Sequence, residues 1–209
     1  MASVVIHMSV ASEINKVLKR NNDKLLIGSI APDIAKLLGE SKVRSHFLDD
    51  EHNDIPNMEK FLNRYKDSLS DDFVLGYYIH LYTDYLWFKY FVTEFYNKDI
   101  ITKLDGTLVK CNGNMIDMYL YNDYTNLNKV LLHDYCVDVS ALYGGRPLLS
   151  NIIKEIPMFK IDLIIDKTVS IIDETKVHKD LTFNILDVKK FISTSVELII
   201  ANLNELGVE

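Results

Sequence analysis

With 209 residues, a net charge of −7 and 48% apolar residues, the chain has enough material for one folded domain and not comfortably for two. Eight Gly and four Pro exclude a disordered, collagen-like or turn-rich β chain. The acidic balance, with Lys19-Arg20 and Lys189-Lys190 as short basic pairs, argues against nucleic-acid scaffold binding, which needs Lys and Arg to neutralise phosphates.

The N-terminus, Met1 to His7, lacks the basic region and long apolar stretch of a signal peptide. Apolar residues at Val4, Met8, Ala11, Ile14, Val17 and Leu18 predict a helix from Val4 to Arg20, with His7 on its apolar side. Leu25 to Ile30 is a short apolar run, and Pro32 biases Ala31 away from helix. Residues 40–55 are polar and aperiodic and read as a loop. Pro56 suits the first turn of a helix over Asn57–Tyr65.

Asp71-Asp72 favours a helix start through the dipole. Phe73 to Tyr96 follows without a Pro and is apolar nearly all round, the mark of a central, buried helix. Asp105-Gly106 and Asn112-Gly113 read as turns. Helical patterning resumes from Met115 to about Tyr135, breaks at Gly144-Gly145-Arg146-Pro147, and returns over Phe159–Asp173 and Asp187–Leu206. The expectation is an all-α fold, one domain over 1–209 with about six to eight helices. No stretch approaches about 18 consecutive apolar residues, so no transmembrane segment is expected and the cytoplasm is the expected location. Cys111 and Cys136 show no CxxC spacing and read as two reduced thiols.

The chemistry concentrates in His80-Leu81-Tyr82-Thr83-Asp84. Residues at i and i+4 share a helix face about 6 Å apart along the axis, so an imidazole and a carboxylate can meet one metal ion. Such a pair arises readily by chance, and His46…Asp50 is a second one. Position strengthens the first: a carboxylate inside an apolar helix is costly unless a cation or several donors compensate it. His7, Asp33 and His46 are further candidate ligands. Each has a plain alternative: a satisfied core histidine for His7, an N-cap for Asp33 and a solvated side chain for His46.

Taken together, Ile6-His7-Met8, Gly28-Ser29-Ile30-Ala31-Pro32-Asp33, Ser45-His46-Phe47 and Leu75-Gly76-Tyr77-Tyr78-Ile79-His80-Leu81-Tyr82-Thr83-Asp84 resemble the zinc-dependent phospholipase C family, whose helical fold is shared with S1/P1 nucleases. The resemblance is strongest over 1–97. It implies that Asp33, His46, His80 and Asp84 ligate one metal, and that His7 with a bridging Asp84 holds a second. It also implies that Asp33 orients or deprotonates the attacking water. The implied cofactor is one or two zinc ions, with Mn, Fe or Ni compatible with the same donors. The implied activity is hydrolysis of a small-molecule or lipid phosphoester.

The chain departs from that family in two respects. No His here has a Glu four residues later, so a trinuclear site is not expected, and Tyr90 stands where another His belongs. Two other readings stay open. His133-Asp134 resembles the dipeptide of HD-type nucleotide phosphohydrolases, and a degenerate member would bind metal without catalysis. Asp123 and Tyr124 could line the cleft, although an ordinary solvated helix face is the favoured reading. Tyr77, Tyr78, Tyr82, Tyr85 and Trp87 flank the proposed site, while His52 and His178 are expected to be exposed.

Overall fold

The computed structural model describes residues 1–97, 99–111, 113–174 and 182–208, the side chains of 113–117 excepted. Its helices are α1 (Val4–Leu18), α2 (Asn22–Gly28), α3 (Ile34–Leu37), α4 (Lys42–Ser45), α5 (Met58–Tyr65), α6 (Asp72–Leu86), α7 (Val92–Phe95), α8 (Gly113–Asp134), α9 (Ser140–Tyr143), α10 (Ile161–Asp173) and α11 (Ile185–Glu205). Among the described residues, no helix is long and apolar enough to cross a membrane.

The chain is mostly helical, consistent with the all-α expectation, and carries one small sheet that was not expected. Strands β1 (Tyr96–Asn97), β2 (Ile100–Thr102) and β3 (Leu108–Lys110) form a small antiparallel sheet, with Ile101 opposite Val109 and Tyr96 opposite Ile101. The expected turn at Asp105-Gly106 joins β2 to β3, and Gly106 takes a φ of +84° that a side chain would strain. Strands of two or three residues are too short to show the alternation that betrays a strand in sequence. Of the second expected turn, Gly113 opens α8, and Asn112 lies outside the described residues.

Helices α1 and α6 form the centre. Helix α6 packs against α1, α2, α5 and α11, while α1 also meets α8. The Asp71 side chain caps α6 by accepting from the backbone N–H groups of Phe73 and Val74, as the paired aspartates suggested. The helical path continues through a π-turn at Trp87–Phe91 into α7, close to the predicted Phe73–Tyr96 segment. Trp87 and Phe91 stack there, and Phe183 and Phe191 pack onto them from the C-terminal part of the chain.

The crossing of α2 with α6 positions the site. A Cβ on Gly28 would lie 2.2 Å from the Phe73 carbonyl oxygen, and one on Gly76 would lie 2.1 Å from that of Leu25. Two side chains would force these backbones apart, so the glycines set how deeply α2 sinks onto α6. Gly76 is one turn before His80, and Gly28 directly precedes Ser29. The close approach therefore brings the end of α2 within hydrogen-bond reach of the His80 ring.

Residues 40–55 are less irregular than expected. They include the one-turn helix α4, capped by Ser41. Pro56 precedes α5 rather than entering it, and Asn57 is the N-cap. Ala31–Asp33 forms a 3-10 turn containing Pro32, where a simple interruption was expected.

A buried His and Asp cluster as a candidate metal centre

His7, Asp33, His46, His80 and Asp84 come together from four segments of the chain and are all buried. Two triads within them, His7-His80-Asp84 and Asp33-His46-His80, each bring their ligand atoms within 4.8 Å of one another. His46 is not solvated. It ends α4, and Phe47 after it takes a φ of +54°, a left-handed conformation that is strained for a bulky residue. Packing of Phe47 against Phe61, Tyr65 and Tyr77 offsets that strain and holds the reversal that turns His46 inward. Tyr77 adds support from behind by donating its hydroxyl to the Ser45 carbonyl.

Asp33 is not a cap. It stands before α3, but its side chain makes no capping hydrogen bond. Its Oδ1 instead lies 3.4 Å from His46 Nε2 and 3.8 Å from His80 Nε2. Asp84 Oδ2 lies 3.7 Å from His46 Nε2 and 3.6 Å from His80 Nε2, and the two Nε2 atoms are 3.3 Å apart. These five separations run from 3.3 to 3.8 Å, and the ligand atoms fall into two triads that share His80. Zinc holds nitrogen and oxygen ligands at about 2.0–2.2 Å, which sets neighbouring ligand atoms around one ion about 3.3–3.6 Å apart.

Ring orientation follows from the outer partners. His80 Nδ1 donates to the Ser29 carbonyl at 2.7 Å. A carbonyl only accepts, so Nδ1 carries the proton and a neutral His80 presents a bare Nε2 to the cluster. His46 Nδ1 lies 2.9 Å from Ser45 Oγ, whose own hydroxyl donates to the Lys42 carbonyl. This directs the Nε2 lone pair of His46 inward as well. Partners of this kind are what hold metal-binding histidines in register.

Asp33 Oδ1 and Asp84 Oδ2 have no hydrogen-bond partner. A protonated imidazole serving these carboxylates would approach to about 2.7–2.9 Å. The observed gaps are longer, of the size found between ligands that share a cation.

Charges within the cluster shift one another. Burial, and then the charge of His80, pushes the His7 pKa down to about 4. The His7 and His80 rings stack with centroids 3.7 Å apart, which disfavours two adjacent positive charges. Burial also lowers His46, against the pull of the nearby Asp33 carboxylate. For His80 burial works downward, but the charges of Asp33 and Asp84 outweigh it and raise the pKa. Burial would raise both carboxylates. The His46 ring beside it and the charge of His80 nevertheless bring Asp33 down to about 2, and His7 and His80 hold Asp84 well below the ordinary range. Both carboxylates are therefore ionised at neutral pH.

His7 stands on the other side of Asp84. Its Nε2 is 3.3 Å from Asp84 Oδ1, which also accepts the Ala2 N–H at 2.8 Å. Neither His7 ring nitrogen has a hydrogen-bond partner, unlike a satisfied core histidine. The two oxygens of Asp84 thus face different histidines, the arrangement a bridging carboxylate needs.

Among the five residues only Asp33 reaches a cavity, one of about 580 Å³ between the start of α1 and helices α3, α8 and α10. Its side chain is 11% exposed, whereas the others are exposed by 3% or less. Tyr124 lines this cavity, as the sequence suggested. Tyr77, Tyr78, Tyr82, Tyr85 and Trp87 do not. Asp123 is not on a solvated face: it is fully buried and accepts the backbone N–H groups of Thr182 and Phe183. The side chain of His133 is 88% exposed and pairs with Asp134, outside the cluster. His52 is exposed, and His178 lies outside the described residues. Cys111 and Cys136 are unpaired thiols. Ser29 and Ser45 were missed as ring-orienting residues, and only the adjacency of Ser45 to His46 could have signalled them.

Comparison with protein-family models gives no match, and neither curated protein sequences nor solved structures match the chain.

Proposed function

We propose that this chain is a metal-dependent phosphoesterase of the phospholipase C/P1 nuclease fold type, using Asp33, His46, His80 and Asp84 to hold a divalent ion, zinc by its donor set. One observation carries the reading: two imidazole nitrogens 3.3 Å apart each stand 3.4–3.8 Å from two partnerless carboxylate oxygens in a buried site. The motif resemblance over 1–97 supports the same assignment.

A divalent ion there supplies Lewis acidity, lowering the pKa of water toward neutrality and polarising a phosphoryl oxygen. The remaining work belongs to the chain. Asp33, the member of the cluster open to the cavity, orients a water or takes its proton. Ser29 and Ser45 fix the two imidazoles, so little reorganisation is needed on ligand entry. His7 with Asp84 Oδ1 offers two ligand atoms for a second ion, the rest coming from water or substrate.

The near-complete burial of the other three ligands favours a second reading, a closed site that binds metal only for stability. The HD-type alternative loses its basis, because His133 is exposed outside the cluster.

The test begins with metal content by mass spectrometry for the wild type and for His80→Ala and Asp84→Ala. Stoichiometric metal lost in both variants, followed by metal-dependent turnover in a phosphoester screen, supports the enzyme. Metal without turnover supports the closed site. A wild type without metal after incubation with zinc or manganese removes both.

A further inference from the structure

The cavity beside Asp33 differs from the rest of this acidic surface. Its wall combines apolar groups with two ammonium groups, and its carboxylates are Asp33, which belongs to the cluster, and Glu174. On α10, Ile164, Lys167, Thr168 and Ile171 all line it, and the spacing i, i+3, i+4, i+7 makes them one helical face. Lys167 thus sits within an apolar stripe and makes no ion pair among the described residues.

On the facing wall, Asp33, Lys36 and Leu37 follow the same spacing through the 3-10 turn and α3. Lys36 is therefore about one helical turn, roughly 5 Å of rise, from the carboxylate at the cluster. Its ammonium bonds the Tyr121 hydroxyl and lies 4.6 Å from that ring's centroid, which holds the charge at the cavity wall. Helices α3 and α10 pack against each other, so the two lysines look across one opening.

Resting on the phosphoesterase reading, we infer that this cavity selects a phosphate monoester dianion on an apolar body, with Lys36 and Lys167 as the charge-selecting residues. The phosphoryl group enters beside Asp33. The apolar body lies along Leu37, Ile164 and Ile171. With Asp33 taken up by the cluster and Glu174 two helical turns beyond Lys167, the two ammonium groups favour a dianion over a singly charged diester, so the site discriminates by charge as well as by chain length. A cavity of about 580 Å³ is of a size for a small organic ester, not a polymer.

The experiment uses non-hydrolysable phosphonates, so leaving-group chemistry does not enter. Calorimetry at pH 8.5 on the zinc-loaded protein compares hexylphosphonate, methylphosphonate and the singly charged methyl ester of hexylphosphonate. Hexylphosphonate binds at least tenfold more tightly than either comparator. Lys36→Met with Lys167→Met removes the preference over the ester, while zinc content and the circular dichroism spectrum stay as in the wild type.

Equal binding of hexyl and methyl compounds, or an unchanged charge preference in the double variant, overturns the inference. Turnover of 4-nitrophenyl phosphate is measured in parallel. If it is absent while hexylphosphonate binds as described, the cavity assignment stands and the phosphoesterase reading falls. If it is present without the binding preferences, the reverse holds.

Discussion

Two regions of this molecule bury carboxylates, and they solve the problem differently. Glu155 accepts from Arg64 at 2.6 Å, from the Tyr65 hydroxyl at 2.6 Å and from the Lys154 N–H at 3.1 Å. Every gap is a hydrogen-bond length, and neither oxygen is left without a donor. At Asp33 and Asp84 one oxygen of each has no donor, and the nearest nitrogens stand 3.4–3.8 Å away. Desolvation costs apply to both regions. Glu155 is compensated by the fold itself, whereas the cluster leaves one oxygen of each carboxylate for a cation to satisfy. Burial of a carboxylate therefore does not mark a functional site. The distance from the carboxylate to its compensating groups is what sets the candidate site apart from Glu155.

Substitution of one carboxylate from each region is the strongest way to break this comparison. Asp84→Asn removes a candidate ligand and the carboxylate that faces three histidines. It should abolish stoichiometric metal and lower kcat/KM about 1,000-fold, which is about 4 kcal/mol of barrier. Glu155→Gln should keep full metal content and instead lose about 2–3 kcal/mol of folding stability, read from urea melts. Equal metal loss in the two variants would collapse the distinction.

Chelation probes the same contrast without mutation. An ion at 1,000 times its dissociation constant stabilises the fold by about 4 kcal/mol. Its removal should lower Tm in the wild type and in Glu155→Gln, and leave Asp84→Asn unmoved. A melting curve indifferent to chelator in all three proteins would show that the fold already satisfies the cluster.

The next effect tests how the fold delivers the geometry. Gly76→Ala places a Cβ against the Leu25 carbonyl and should push α2 from α6, costing about 1–3 kcal/mol. It should also weaken metal binding at least tenfold, because the Ser29 carbonyl moves away from His80. Gly145→Ala, with nothing within 4 Å, is the control and should change neither quantity. Destabilisation with unchanged metal affinity would separate the α2 crossing from the site.

This crossing also explains what was legible in the sequence. His80 and Asp84 announced themselves as polar residues in an apolar helix, and the central position of α6 followed from the same pattern. His7, Asp33 and His46 were legible as a set but not singly. Their alternatives were sound locally, and only tertiary contacts decided that Asp33 is not a cap and that His46 is buried. Ser29 acts through a backbone carbonyl, which no side-chain pattern reveals. The sheet escaped because strands of two and three residues have no period to read. The cavity lysines escaped because α3 and α10, about 130 residues apart, meet only in the fold.

Asp123 is a buried carboxylate in a further region and falls between the two kinds. Its Oδ2 accepts the N–H groups of Thr182 and Phe183, yet its Oδ1 has no partner. Burial pushes its pKa up to about 6 from 3.8, against the opposing effect of those amides. The folded state therefore holds this proton more tightly than the unfolded chain does. The resulting stabilisation is complete below the unfolded pKa near 3.8 and is lost as pH rises through about 6. Asp123→Asn keeps an acceptor for both amides and carries no charge. At pH 7.5 it should be more stable than the wild type by about 1 kcal/mol, with the advantage gone by pH 4. Urea melts at the two pH values measure this directly. A variant less stable than wild type at pH 7.5 would show that the charge on Asp123 is compensated within the fold, as that on Glu155 is.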